Sequence, residues 1–276
     1  MTHGAQRASG TGPRRALFTT LVAIGAAVAF AAAPRAANAA SMKVVIVVGP
    51  VGSKTADYID NAKQLAAQAK SYGATVYQLY SPNATWSRVR TVAQGANVFI
   101  YLGHGNGWPS PYAPYQPYTK DGLGLNATSG NGNSNVKYYG EYYVGRDIRF
   151  APDAVVIFNR LCYASGNSEW GSANPTRSVA KQRMDNYAAG FLRARARAVF
   201  AEAIGPASYI LYGVFKTKHS MNFIFKSHPI GTSGDMFTFA STRTAGKTVI
   251  ADPKSAGLYY RSFVGDPMMY ATQVRS

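Results

Sequence analysis

Three strand-length runs in this 276-residue sequence are apolar almost without interruption: MKVVIVV at 42–48, VFIYL at 98–102 and AVVIF at 154–158. A strand with one wet face alternates polar and apolar residues; unbroken runs predict strands buried on both faces, as in a parallel sheet covered by helices. Helical patterns lie between them. Residues 53–72 put Ile59, Ala62, Leu65, Ala66, Ala69 and Tyr72 on one face and end at Gly73. A shorter helix from about Thr85 turns Val89, Val92 and Ala93 inward, and residues 176–193 present Ala180, Met184, Tyr187, Ala188, Phe191 and Leu192. Residues 75–80 and 198–204 complete five strands. The alternation predicts an α/β fold, a mostly parallel sheet between two helical layers.

In such sheets ligands bind beyond the carboxyl ends of the strands. Two chemically competent residues fall there. The run NVFIYLGHGNG stops on His104, between Gly103 and Gly105, and Gly107 follows. These glycines are expected to turn the backbone sharply, since glycine tolerates positive φ. AVVIF runs into Asn159-Arg160-Leu161-Cys162. Cys162 is the only cysteine, so no internal disulfide can form; the thiol is either buried and inert or kept for chemistry. If the third and fourth strands are neighbours, His104 and Cys162 meet at one rim of the sheet. Arg160 would favour the thiolate if it points toward the site.

Residues 1–39 read as a signal peptide. Arg7, Arg14 and Arg15 precede an apolar stretch at 16–33, and Ala37-Asn38-Ala39 fits a cleavage site. Arg14-Arg15 has only part of a twin-arginine pattern. Cleavage would leave 40–276 as one α/β domain, exported to the extracellular space or cell envelope, with no transmembrane span. The formal charge is +17, and +13 without the leader's four arginines. That charge suits anionic envelope polymers, but Lys and Arg are spread along the chain and no basic run exceeds two residues, so a solvated basic face is the preferred reading. Nucleic acid is not expected, for no binding module is recognisable.

Residues 106–150 form a long insertion of irregular pattern, rich in Gly, Pro and Asn, with seven tyrosines: Tyr112, Tyr115, Tyr118, Tyr138, Tyr139, Tyr142 and Tyr143. They either pack the loop down as a lid or line a groove for a peptide or sugar. Other chemistries find little support. Gly49 to Thr55 lacks the glycine before the lysine that a phosphate-binding loop needs. Three histidines beyond the leader and one cysteine give no zinc spacing, residues 122–135 hold too few carboxylates for calcium, and no G-x-S-x-G elbow occurs. No cofactor or metal is expected.

The pair GHG after one strand and LCYASGN after another resembles the catalytic core of caspase-like (clan CD) cysteine peptidases, of the gingipain, clostripain and CHAT kinds. NYAAGFLRARARAVFAEA (186–203) and VGDPMM (264–269) resemble later pieces of the same domains, and CYASGNSE resembles a string in a set of secreted bacterial proteins. The resemblance implies a caspase-like three-layer αβα sandwich and a cysteine endopeptidase. His104 would be its acid/base and Cys162 its nucleophile, with the N–H groups of Gly105 and Cys162 as oxyanion donors. Asp147 and Glu169, chosen by nearness in sequence, are candidates for binding a basic substrate side chain. The alternative is a non-catalytic envelope-binding module on the same fold.

Overall fold

The computed structural model describes residues 41–276; the leader expected at 1–39 lies outside them. The chain runs β1 (Lys43–Val48), α1 (Thr55–Ser71), β2 (Thr75–Tyr80), α2 (Trp86–Val92), β3 (Val98–Leu102), β4 (Leu123–Asn126), β5 (Val136–Tyr139), α3 (Glu141–Asp147) and β6 (Ala154–Asn159). It continues through α4 (Arg177–Arg193), β7 (Ala196–Glu202), α5 (Ser208–Lys216), α6 (Met221–Lys226), β8 (Phe237–Ala240), β9 (Thr248–Ala251), β10 (Arg261–Gly265) and α7 (Ala271–Val274). An eight-stranded sheet has the order β2-β1-β3-β6-β7-β10-β9-β8. Its first five strands are parallel, and the last three join antiparallel to their neighbours.

The unbroken apolar runs are explained by the two cores. Along β1, β3 and β6 the residues Val45, Val47, Phe99, Tyr101, Val156 and Phe158 face one side, where α2, α3 and α4 pack. Val44, Ile46, Val48, Val98, Ile100, Leu102, Val155 and Ile157 face the other, under α1, α5, α6 and α7. With period two and both faces dry, every position must be apolar. The α/β sandwich on a mostly parallel sheet expected from the sequence is the fold present.

Two features depart from expectation. The insertion is not irregular throughout: β4 and β5 pair as a hairpin and α3 follows. Its glycines and tyrosines hide the pattern, because Leu123-Gly124-Leu125-Asn126 is buried at every residue. The three antiparallel strands after α6 are short, and β8 shows only partial burial, so their period is weak in the sequence.

Parallel pairing of β3 with β6, Leu102 opposite Asn159, brings two strand ends to one level of the rim. Phe158, buried against Tyr187 and Phe191 with ring centroids 5.2 and 4.8 Å apart, anchors that end of β6 to α4. Phe158→Ala is expected to destabilise the domain by about 3–5 kcal/mol in chemical denaturation; a loss under about 1 kcal/mol would contradict this packing.

Candidate functional site

His104 stands two residues beyond β3 and Cys162 three beyond β6. Both line a cavity of about 720 Å³, together with Gly105, Asn106, Tyr112, Lys120, Tyr138, Glu169 and Trp170 among others. His104 is exposed and Cys162 half-buried.

The glycines flanking His104 serve a purpose other than the expected one. Gly103, Gly105 and Gly107 are not among the residues with positive φ. They are places where the backbone is approached too closely for a side chain. A Cβ at Gly103 would strike the Tyr101 hydroxyl, one at Gly105 the carbonyl of Cys162, and one at Gly107 the Cβ of Tyr163. The Tyr101 hydroxyl is buried at the strand's end. It accepts the Gly124 N–H (2.9 Å) and lies 2.7 Å from the Gly124 carbonyl and 3.1 Å from that of His104, so its proton faces two acceptors. It thereby joins the His104 turn to β4.

The Cys162 segment is held more tightly. Arg160 and Tyr163, on either side of Leu161-Cys162, take left-handed backbone angles of +59° and +69°. Such conformations are costly without glycine and persist where the surroundings enforce them. Here the Arg160 N–H donates to the Glu202 carbonyl at the end of β7 (2.8 Å), and Tyr58 of α1 donates to the Arg160 carbonyl (3.2 Å). Beyond the cysteine, the Ala164 N–H donates to the Cys162 carbonyl (2.9 Å). Arg183 of α4 stacks on the Tyr163 ring and ties the two loops together. It donates to the Pro109 carbonyl of the insertion (2.6 Å) and to the Asn167 carbonyl (2.9 Å) beyond Cys162. Nothing in the sequence marked Arg183, because its role lies in contacts with two distant loops.

Desolvation pushes the Cys162 thiol up to about 11, with a further upward push from the Glu169 carboxylate and a smaller opposing one from the Trp170 N–H. Desolvation also pulls the His104 imidazole below its ordinary range, partly offset by Glu169. At neutral pH the resting pair is therefore a thiol and a neutral imidazole. The expectation for Arg160 is not met: it shares a neighbouring cavity with Cys162 but is not among the charges that shift the thiol, so its guanidinium gives the thiolate no support.

Of the two acidic candidates, Glu169 lies in the cavity, where its carboxylate accepts the Tyr112 hydroxyl (2.9 Å). Asp147 does not line this cavity; it ends α3, its two oxygens held by Arg146 (2.5 and 2.8 Å). The tyrosines divide between the two roles foreseen for them. Tyr139 stacks on Trp86 (4.9 Å), and Tyr118, Tyr142 and Tyr143 pack on one another, while Tyr112 and Tyr138 line the cavity. Lys120 and Trp170 complete the wall, the tryptophan 99% exposed at the rim. Among the described residues no cluster of three or more His, Cys, Asp or Glu is arranged to hold a metal.

No protein-family model matches the sequence, and no curated protein does. Two solved structures are similar in shape. One is a secreted C11 cysteine protease from Bacteroides thetaiotaomicron in complex with an irreversible peptide inhibitor, 9% identical, aligned over 77% of this chain and 66% of that one with a TM-score of 0.39. The other is the Arg-specific cysteine proteinase gingipain R, 12% identical, over 81% of this chain and 60% of that one with a TM-score of 0.34. The chain spans less than two thirds of either structure's length.

Two outcomes test this geometry. Iodoacetamide labelling of native Cys162 is expected to accelerate with pH toward a midpoint at about 11, against about 8.5 for the chain unfolded in denaturant. A native midpoint below the unfolded one would contradict a desolvated thiol. Gly105→Ala should push the His104 turn off the Cys162 carbonyl and lower stability by about 1–3 kcal/mol, read from the melting transition; an unchanged transition would mean the two backbones are not in contact.

Proposed function

We propose that the chain is an exported cysteine endopeptidase working through His104 and Cys162. The observation that carries this reading is the packing of the Gly105 backbone directly against Cys162 on the wall of a cavity that His104 also lines. An acyl-transfer site needs a nucleophile, a base and donors for the developing oxyanion converging on one open space. The resemblance of GHG and LCYASGN to caspase-like peptidases supports the same assignment.

In the proposed reaction the Cys162 Sγ attacks a peptide carbonyl carbon while its proton passes to the unprotonated nitrogen of His104. The carbonyl π electrons move onto oxygen, toward the N–H groups of Gly105 and Cys162, donors worth on the order of 3 kcal/mol each. His104 then gives the proton to the leaving amine as the C–N bond breaks. A water, deprotonated by His104, hydrolyses the thioester and returns the thiol. A resting neutral pair suits this sequence: the imidazole is free to accept a proton, and the thiolate exists only as it attacks. Export is proposed from the leader pattern at 1–39; among the described residues no helix is long and apolar enough to cross a membrane.

A non-catalytic envelope-binding module is the second reading. It draws on Trp170, wholly exposed at the cavity rim, and on the basic charge, since an exposed aromatic and cations suit an anionic polymer.

Cys162→Ala is expected to abolish peptide hydrolysis, by on the order of 10⁴-fold or more, and His104→Ala to do nearly the same, because members of one catalytic unit are not additive. Both should melt close to wild type, since Cys162 is half-buried and His104 exposed. Labelling of Cys162 at neutral pH should slow in the His104 variant. Equal labelling in the two proteins, with no hydrolysis by wild type of any peptide in a broad library, would leave the binding module. Sequencing the amino terminus of the secreted protein should begin at residue 40; retention of Met1 would count against export by cleavage.

A further inference from the structure

Lys120 is 3% exposed yet lines the same cavity as His104 and Cys162. Its ammonium donates to Asn106 Oδ1 (2.8 Å) and Ser110 Oγ (3.0 Å) and lies 5.6 Å from the centre of the Tyr112 ring. These partners are neutral, and among the described residues no carboxylate comes within 4.0 Å of it. Buried ammonium groups are ordinarily paired with an anion, because removing the charge from water is expensive. Asp121 and Glu169 both act on the ammonium from a distance, but neither pairs with it. Asp121 takes the Trp108 N–H on one oxygen (2.9 Å) and is buried, which pushes its carboxyl up to about 8 and leaves it mostly uncharged at neutral pH.

An ammonium has three hydrogens, and Asn106 and Ser110 take two of them. Glu169 is engaged by Tyr112 on the Cys162 side of the cavity. The cavity thus has a buried positive charge in the insertion and a half-buried negative one near the thiol. Charge–charge attraction grows as water is excluded, so the buried lysine is the stronger selector.

We infer that this cavity takes peptides carrying an acidic side chain next to the bond that is cut, and that Lys120 is the residue that reads it. The inference rests on the peptidase reading above. It reverses the expectation of a basic side chain attached to Asp147 and Glu169, of which the first lies elsewhere. The long-range field agrees, since the chain without its leader carries a formal charge of +13 and attracts acidic substrates.

The test uses fluorogenic peptides that differ only in Asp, Asn or Lys at successive positions before the scissile bond, with wild type, Lys120→Met and Lys120→Arg. Wild type should cleave the Asp peptide at least about tenfold faster than the Asn peptide at one position, the effect of one charged hydrogen bond. The ratio should fall to about one in Lys120→Met and survive in Lys120→Arg, which keeps the charge. A second readout needs no turnover: the product peptide ending in aspartate should slow iodoacetamide labelling of Cys162 in wild type, and the asparagine peptide should not. Equal cleavage of Asp and Asn peptides, a preference for Lys, or a ratio that survives Lys120→Met overturns the inference while leaving the peptidase reading intact. Protection by the aspartate peptide with no hydrolysis of any substrate does the reverse. Should Lys120→Met fail to fold, the wild-type ratio and the protection experiment decide alone.

Discussion

Side-by-side parallel pairing of β3 and β6 is the constraint from which the site follows. With Leu102 opposite Asn159, the chain leaves both strands at the same height, and the next few residues of each must share one small space. They do so without side chains in the way. Gly105 lies on the Cys162 backbone and Gly107 on Tyr163, so two loops from different parts of the chain pack as closely as neighbouring strands. The left-handed angles at Arg160 and Tyr163 are a consequence, tolerated because β7, α1 and α4 hold both residues.

Around that contact the insertion acts as a second wall rather than as a loose loop. Glu141, buried at the start of α3, receives hydrogen bonds from Tyr115, from Arg193 of α4 (2.7 Å) and from Arg243 (2.9 and 2.8 Å). Asn186 and Tyr187 of α4 donate to the Trp108 and Gly122 carbonyls (2.9 and 2.7 Å). Breaking one partner of such a buried network strands the others, at a cost of several kcal/mol. The insertion thereby keeps Tyr112, Lys120 and Tyr138 at fixed places in the cavity, as a pre-organised site requires.

Burial also sets the chemistry. Desolvation raises the thiol and lowers the imidazole, which keeps both groups uncharged at neutral pH. Glu169 acts on both members in the same direction, favouring the protonated state of each. Of the buried charges in the insertion, Glu141 is paired with two arginines, whereas Lys120 has no carboxylate within 4.0 Å among the described residues.

Local pattern alone sufficed for much of this. Unbroken apolar runs mean strands dry on both faces, so the parallel sheet, its flanking helices and the rim positions of His104 and Cys162 could be read without coordinates. The runs needed no tertiary information because burial on both sides leaves a mark at every residue. The hairpin β4–β5 left no such mark, since its buried residues include two chosen for polarity or small size, Gly124 and Asn126. The purpose of the GHG glycines, the lack of an Arg160 charge acting on the thiol, the distance of Asp147 and the inward course of Lys120 were decided only by the tertiary structure. Each depends on which atom of a remote segment stands within a few ångströms, and a one-dimensional pattern records residue types, not neighbours.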